Sequence, residues 1–164
     1  MIHVRNADQE ETRIIGPLEW LSSMFNVYTL HLTNTLIIKL SMFEQLQSLE
    51  TLEIDGCYGF FGDSSDLVWM ERLQNLSVRN CREMGGLLEC LLVLPSLEEL
   101  CVEECPDVEA LPANGLPATL KRLAISCCGP RLVERCLDHE LDGAKIAGID
   151  VVYLDGQCVQ TNVK

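Results

Sequence analysis

Leu97-Glu-Glu-Leu-Cys-Val-Glu-Glu-Cys105 decides how this chain is read. Its leucines and valine fall at positions 1, 4 and 6 and its last cysteine at position 9, the pattern Leu-x-x-Leu-x-Leu/Ile/Val-x-x-Cys. Copies begin at Val27, Leu49, Leu73, Leu97 and Leu120, at steps of 22, 24, 24 and 23 residues. The second and third apolar positions keep register throughout: Leu30 and Leu32, Leu52 and Ile54, Leu76 and Val78, Leu100 and Val102, Leu123 and Ile125. Cys57, Cys81, Cys105 and Cys128 fill the cysteine slot in the later copies, and Thr35 fills it in the first. One copy would be a weak signal; a register kept through successive copies is a strong one.

A step of this size lies within the roughly 20–29 residues of leucine-rich repeats. The expected fold is therefore an α/β repeat solenoid of the right-handed leucine-rich-repeat kind, with a short parallel sheet on the concave face and irregular or short helical crossovers on the convex face. The expected layout is an irregular segment or truncated repeat over 1–26, about five repeats over 27–128, a C-terminal cap over 129–156 and a flexible tail over 157–164.

Composition agrees with a stacked aliphatic core. Hydrophobic residues make up 48% of the chain and exclude wholesale disorder, whereas aromatic residues are only 5%. A net charge of −13 repels phosphates and anionic bilayers, so nucleic acid is not an expected partner. No run of about 18 apolar residues and no secretion signal occurs, and no membrane insertion is expected. The nine cysteines are odd in number and four share one repeat position, which fits a reducing compartment better than a disulfide framework. The expected location is cytoplasmic, with the nucleus also open to it. The sequon Asn75-Leu-Ser77 falls inside an expected strand and is not read as glycosylated.

Along the chain, Ile2-His-Val4 reads as the end of an earlier strand, so that the chain starts inside a repeat and is a piece of a longer array or a truncated product. The plainer alternative is a cap built from Leu18, Trp20, Leu21, Met24 and Phe25. Ser41-Met-Phe-Glu44 has the form of a capping box and predicts a short helix from Met42. Asp66 predicts a second helical turn, and residues 87–94 a third helical segment stopped by Pro95. The prolines and Asn-Gly pair of residues 111–117 predict extended or turn structure. After Pro130, Leu132, Val133, Cys136 and Leu137 predict an amphipathic helix covering the open end of the stack, and Asp150-Val-Val-Tyr-Leu154 predicts a last strand beside it.

Strand alternation turns the residues between the leucines outward. These are Thr29, His31 and Thr33; Thr51, Glu53 and Asp55; Asn75, Ser77 and Arg79; Glu99, Cys101 and Glu103; and Arg122, Ala124 and Ser126. The inward positions obey a rule and specify the fold; the outward ones follow none and are free to specify a partner. The candidate partner-binding residues are Thr51, Glu53, Asp55, Asn75, Ser77, Arg79, Glu99, Cys101, Glu103 and Arg122. A merely solvated face is the plain alternative. Fifteen outward positions fall short of the roughly 20–30 residues per side of a standard interface, so this segment alone should bind weakly. Tyr58-Gly-Phe-Phe61 reads either as an exposed anchor or as packing under the next repeat. The acidic cluster Glu98, Glu99, Glu103, Glu104, Asp107 and Glu109 has no basic neighbour in sequence and suits a partner with a basic surface.

Signs of chemistry are few. Cys101, Cys105, Cys127, Cys128 and Cys136 lack the paired knuckles of a zinc site, and a ladder of small buried thiols bonding neighbouring backbone explains the repeated cysteine better. Cys136 and His139 sit three apart without an oxyanion donor or an orienting third group. No phosphate-binding Gly-x4-Gly-Lys-Ser/Thr loop occurs. The chain is read as no enzyme, with no metal and no cofactor.

Leu94-Pro-Ser-Leu-Glu-Glu-Leu100, the proline-spaced repeat of residues 111–125, Glu134-Arg-Cys136, Lys145-Ile-Ala147 and Asp155-Gly156 together resemble the C-terminal leucine-rich repeats of plant intracellular nucleotide-binding disease-resistance receptors, most nearly the coiled-coil class. The likeness covers roughly residues 27–156. Gly148 and Asp150 stand where that family often has histidine and proline, and the tryptophan often found just before the lysine is absent. The resemblance implies a protein-protein recognition module of innate immunity, sensing a pathogen effector or host guardee and restraining the receptor's own nucleotide-binding domain. The alternative reading is a stand-alone leucine-rich-repeat adaptor or decoy.

Overall fold

The computed structural model describes residues 2–6, 11–14, 26–34, 38–61 and 70–162. Its main sheet has nine strands, and six neighbours at its centre run parallel: β3 (Val27–Thr33), β5 (Thr51–Asp55), β7 (Asn75–Arg79), β8 (Glu99–Glu103), β9 (Arg122–Ser126) and β10 (Val151–Leu154). The remaining members are β1 (Ile2–Asn6), β2 (Glu11–Ile14) and β11 (Gln157–Thr161).

The parallel register follows the repeat. Leu30, Leu52, Leu76, Leu100, Leu123 and Val152 stand side by side, and so do Leu32, Ile54, Val78, Val102, Ile125 and Leu154. Both rows are buried and form the spine of one continuous aliphatic core. Because side chains alternate along a strand, a slip of one residue would turn both rows to solvent, which pins every strand to its neighbour. Parallel strands need long connections, and the residues between successive strands supply them. The result is a mostly parallel, solenoid-like repeat architecture with few helices.

Each parallel strand ends in a left-handed residue: Asn34, Gly56, Asn80, Glu104, Cys127 and Asp155, with φ of 52°, 63°, 51°, 53°, 50° and 45°. The chain leaves the sheet there, and the freed amides of Asn34, Gly56, Asn80 and Glu104 donate to Asp55, Arg79, Glu103 and Ser126 carbonyls on the next strand at 2.9–3.0 Å. At the second turn the residue must be small, since a Cβ on Gly56 would lie 2.7 Å from Asn34 Oδ1.

The cysteine ladder follows one residue later. Cys57 Sγ faces the carbonyls of Asp55 at 3.5 Å and Leu32 at 3.9 Å, and Cys81 Sγ those of Arg79 at 2.9 Å and Ile54 at 3.8 Å. Cys105 faces Glu103 and Val78 at 3.2 and 3.8 Å, and Cys128 faces Ser126 and Val102 at 3.4 and 3.5 Å. Each thiol thus links its own strand end to the preceding repeat. Burial pushes the Cys105 thiol up to about 11 and raises that of Cys128, so both stay protonated donors at neutral pH.

The crossovers differ from one another. Ile38–Lys39 (β4) and Phe60–Phe61 (β6) pair as a small parallel ribbon separate from the main sheet. That assigns a strand to the aromatic pair of the 58–61 insert, while Tyr58 itself stays exposed. The helix expected from Met42 is instead one 3-10 turn, Leu40–Phe43, and the Glu44 amide bonds the Ser41 carbonyl at 3.4 Å. Four residues are too few to reward a reciprocal cap, so Ser41 lies within the turn. The third crossover is helical as expected, with α1 (Gly85–Glu89) followed by a 3-10 turn, Leu91–Val93. Residues 111–117 hold no helix, also as expected. The turn predicted at Asp66, Thr35, and the cap residues Leu18, Trp20, Leu21, Met24 and Phe25 lie outside the described residues.

Both flanks of the array correct the sequence reading. The strand at Ile2–Asn6 runs antiparallel to β3 and pairs antiparallel with β2, so it is not an earlier repeat. At the other flank, α2 (Leu132–Leu137) does not cover an open end; it is the crossover that carries the chain from β9 to β10. Leu132 and Cys136 point inward, but Leu137 is 63% exposed because five residues of helix carry it well round from Leu132. The expected strand beside the last repeat is β10. The segment expected to fray returns antiparallel as β11 through Asp155-Gly156, both at positive φ, the conformation of a type I′ hairpin turn. Gln160 Nε2 donates to the carbonyls of Ile146, Ala147 and Ile149 and holds the returning strand down.

Candidate functional site

The outward residues of β5, β7, β8 and β9 form a grid of three rows fixed by the strand register. The first row runs Thr51, Asn75, Glu99, Arg122; the middle row Glu53, Ser77, Cys101, Ala124; the third Asp55, Arg79, Glu103, Ser126. Nine of them, Thr51, Glu53, Asn75, Ser77, Arg79, Glu99, Cys101, Arg122 and Ala124, line a concavity of about 280 Å³. Asp55 lines a second hollow of about 150 Å³ next to it, between His31 and Arg79. Glu103 stands at the rim, bound to Arg79.

Electrostatically the face is less acidic than the sequence suggests. Glu98 pairs with Lys121 at 2.7 Å, Glu99 with Arg122 at 3.3 Å and Glu103 with Arg79 at 2.9 Å. Each partner lies about one repeat away in sequence and on, or just before, the adjacent strand in space. Glu53 meets His31 Nδ1 at 2.8 Å, and Asp55 accepts from Asn80 Nδ2 at 2.8 Å. The acidic cluster is therefore half-compensated, with Glu104 and Glu109 left exposed and Asp107 accepting the Glu83 amide at 3.2 Å.

Cys101 sits at the centre of the grid. Burial and Glu103 push its thiol up, against the pull of Arg79, so it is a protonated neutral surface rather than a nucleophile. Burial lowers the Arg79 guanidinium, but its contacts with Cys101 and Glu103 outweigh that and leave it raised. Among the described residues no group of three or more His, Cys, Asp or Glu side chains is placed to hold a metal ion. Cys136 is buried, its thiol pushed up to about 11 chiefly by burial, while His139 is exposed beyond the helix end.

Two features go beyond the residues singled out in sequence. The expected last strand, β10, extends the face with outward residues of its own, placing Val151 beside Arg122 and the exposed Tyr153 beside Ala124; the alternation within Val-Val-Tyr-Leu154 carries that signal. The second is Asp142, 1% exposed, whose carboxylate meets Arg135 at 2.8 Å and Lys145 at 2.7 Å and accepts the Leu111 amide at 3.2 Å. Burial opposes its ionisation, but Arg135, Lys145 and the Leu111 amide prevail and hold the carboxyl below its ordinary value. Asp142 thereby ties the β9–β10 crossover to the preceding one.

No family model matches the chain, and no solved structure matches it. Among the described residues no helix is long and apolar enough to cross a membrane.

Proposed function

We propose that this chain is a leucine-rich-repeat recognition segment of a plant intracellular nucleotide-binding disease-resistance receptor of the coiled-coil class, acting in the cytoplasm as a binding module and not as an enzyme. Its outward sheet face engages a protein: a pathogen effector, a host guardee or the receptor's own nucleotide-binding domain. The observation that carries the reading is the grid itself, in which nine residues free of any fold-defining rule converge on one concavity. Support also comes from the closing motifs, since Glu134-Arg-Cys136 and Lys145-Ile-Ala147 supply the two cations that converge on Asp142. The test is the combined charge reversal of Glu53, Glu99, Glu103 and Arg122 in the full-length receptor. An altered effector response or loss of restraint is expected; an unchanged response together with unchanged restraint rejects the reading.

A second reading, a small adaptor or decoy, is favoured by the antiparallel strands on both flanks of the parallel array. The genomic reading frame discriminates. Continuity upstream into a nucleotide-binding domain supports the first reading and excludes the second.

A further inference from the structure

Along the middle row, Ser77, Cys101 and Ala124 stand opposite one another on three adjoining strands, and none carries a long side chain. At a strand spacing of about 4.8 Å they make a floor roughly 10 Å across. The next strands on either side place Glu53 and Tyr153 at its ends. Two residues up and down the strands, about 7 Å away, the ion pairs Arg79–Glu103 and Glu99–Arg122 wall it. The volume of this open hollow, about 280 Å³, sits just below the roughly 300–1,000 Å³ of pockets for drug-sized ligands. It has the size of one bulky side chain.

The lining selects the chemistry of that side chain. Cys101 offers a neutral sulfur, which favours an aromatic ring over an aliphatic chain, and the arginines on opposite walls present guanidinium planes on which rings stack. Both arginines are already matched by carboxylates, and the chain as a whole carries −13. Residues flanking the ring must therefore be basic to be drawn in. The geometry points to a partner segment that seats one aromatic side chain on the Ser77–Cys101–Ala124 floor, with lysine or arginine beside it. This deepens the recognition reading above and rests on it.

The test uses the purified chain and three capped tripeptides, Lys-Trp-Lys, Lys-Ala-Lys and Glu-Trp-Glu, followed by amide chemical shifts. Lys-Trp-Lys should move the Ser77, Cys101 and Ala124 amides with an affinity on the order of millimolar, and each control should bind about tenfold more weakly or worse. Ala124→Leu fills the floor from an outward position and should abolish the response with the rest of the spectrum intact. Equal binding of Lys-Ala-Lys, a response elsewhere on the surface, no response, or retention in Ala124→Leu overturns the inference. If the four-residue charge reversal changes receptor behaviour while Lys-Trp-Lys leaves the floor unmoved, the aromatic anchor is wrong and recognition by this face stands. If both fail, the recognition reading falls with it.

Discussion

Arg135 Nε lies 2.8 Å from Asp142 Oδ2, across the bend between α2 and the π-type turn His139–Gly143. Lys145 completes the arrangement: its ammonium forms an ion pair with the other Asp142 oxygen at 2.7 Å and donates to the Leu111 carbonyl at 3.2 Å. One carboxylate thus ties the helical turns of the β9–β10 crossover to a neighbouring crossover that holds no helix.

Removing that carboxylate should cost far more than removing a surface charge. Breaking a buried pair from one side costs about 3–5 kcal/mol; Arg135 and Lys145 retain partial access to water, so Asp142→Asn is expected nearer ~2–3 kcal/mol. The pH dependence has a definite sign. A carboxyl held below its ordinary 3.8 in the folded state contributes stability that is present above that value and is lost as pH falls through the depressed one. Urea midpoints should therefore separate wild type from Asp142→Asn at neutral pH and converge in acid, below about pH 4. Parallel curves down to the lowest accessible pH would refute the assignment.

The reach of sequence reasoning follows from the distance over which each interaction acts. Leu100 and Val102 announce an inward strand face by their own spacing, and their equivalents one step away announce parallel pairing, so the sheet, its register and its outward positions were legible. The cysteine ladder was legible for the same reason. Glu103 finding Arg79 follows from the same period, since the two hold one position in successive repeats 24 residues apart, yet a search for basic partners among neighbours in sequence passes over it. Asp142 was hidden similarly, its cations on either side of a kink and its amide partner 31 residues away. Asp155-Gly156 is a hairpin signal by its residue types, but the residues after it lack the leucine spacing that marks the strands before it. At Ile2–Asn6, apolar alternation marked a strand but not its direction, which depends on how β1 meets β3.

The buried thiols predict alkaline sensitivity. The Cys105 and Cys136 thiols are pushed up to about 11, chiefly by burial. Their raised values in the folded state contribute stability fully present below the unfolded thiol value near 9 and lost as pH rises through about 11. At about 1.4 kcal/mol per unit the loss approaches ~2–3 kcal/mol for each thiol. Iodoacetamide at neutral pH should label exposed Cys127 and Cys158 first, and buried Cys57, Cys81, Cys105 and Cys136 only on unfolding. Rapid native labelling of Cys105, read by mass spectrometry, would contradict the ladder.

Gly129 predicts a steric failure that charge does not enter. A Cβ there would lie 2.6 Å from the Val108 carbonyl oxygen and 3.0 Å from its carbon, both backbone atoms, while the Gly129 amide donates to that same oxygen at 3.0 Å. No side chain can rotate away to make room. Gly129→Ala should cost about 1–3 kcal/mol and lower Tm by roughly 2–4 °C for each of them. Gly148→Ala, with nothing within 4 Å of its Cβ, is the matched control and should leave Tm near wild type.

The outward ion pairs should behave in the opposite way. Arg79, Glu103, Glu99 and Arg122 sit in or near solvent with side-chain exposures of 52, 35, 48 and 56%, and such pairs contribute about 0–1 kcal/mol each. A double-mutant cycle on Arg79→Ala and Glu103→Ala should return a coupling below ~1 kcal/mol that shrinks further in high salt. The same exposure makes the face suitable for functional dissection. Because Glu53, Glu99, Glu103 and Arg122 define the rim without holding the strands together, their combined reversal should leave thermal unfolding nearly unchanged. Any partner binding lost in that variant is then a lost contact rather than a lost fold. A collapse of Tm in that variant would instead place these residues in the stability of the sheet, and the outward grid would no longer be free to specify a partner.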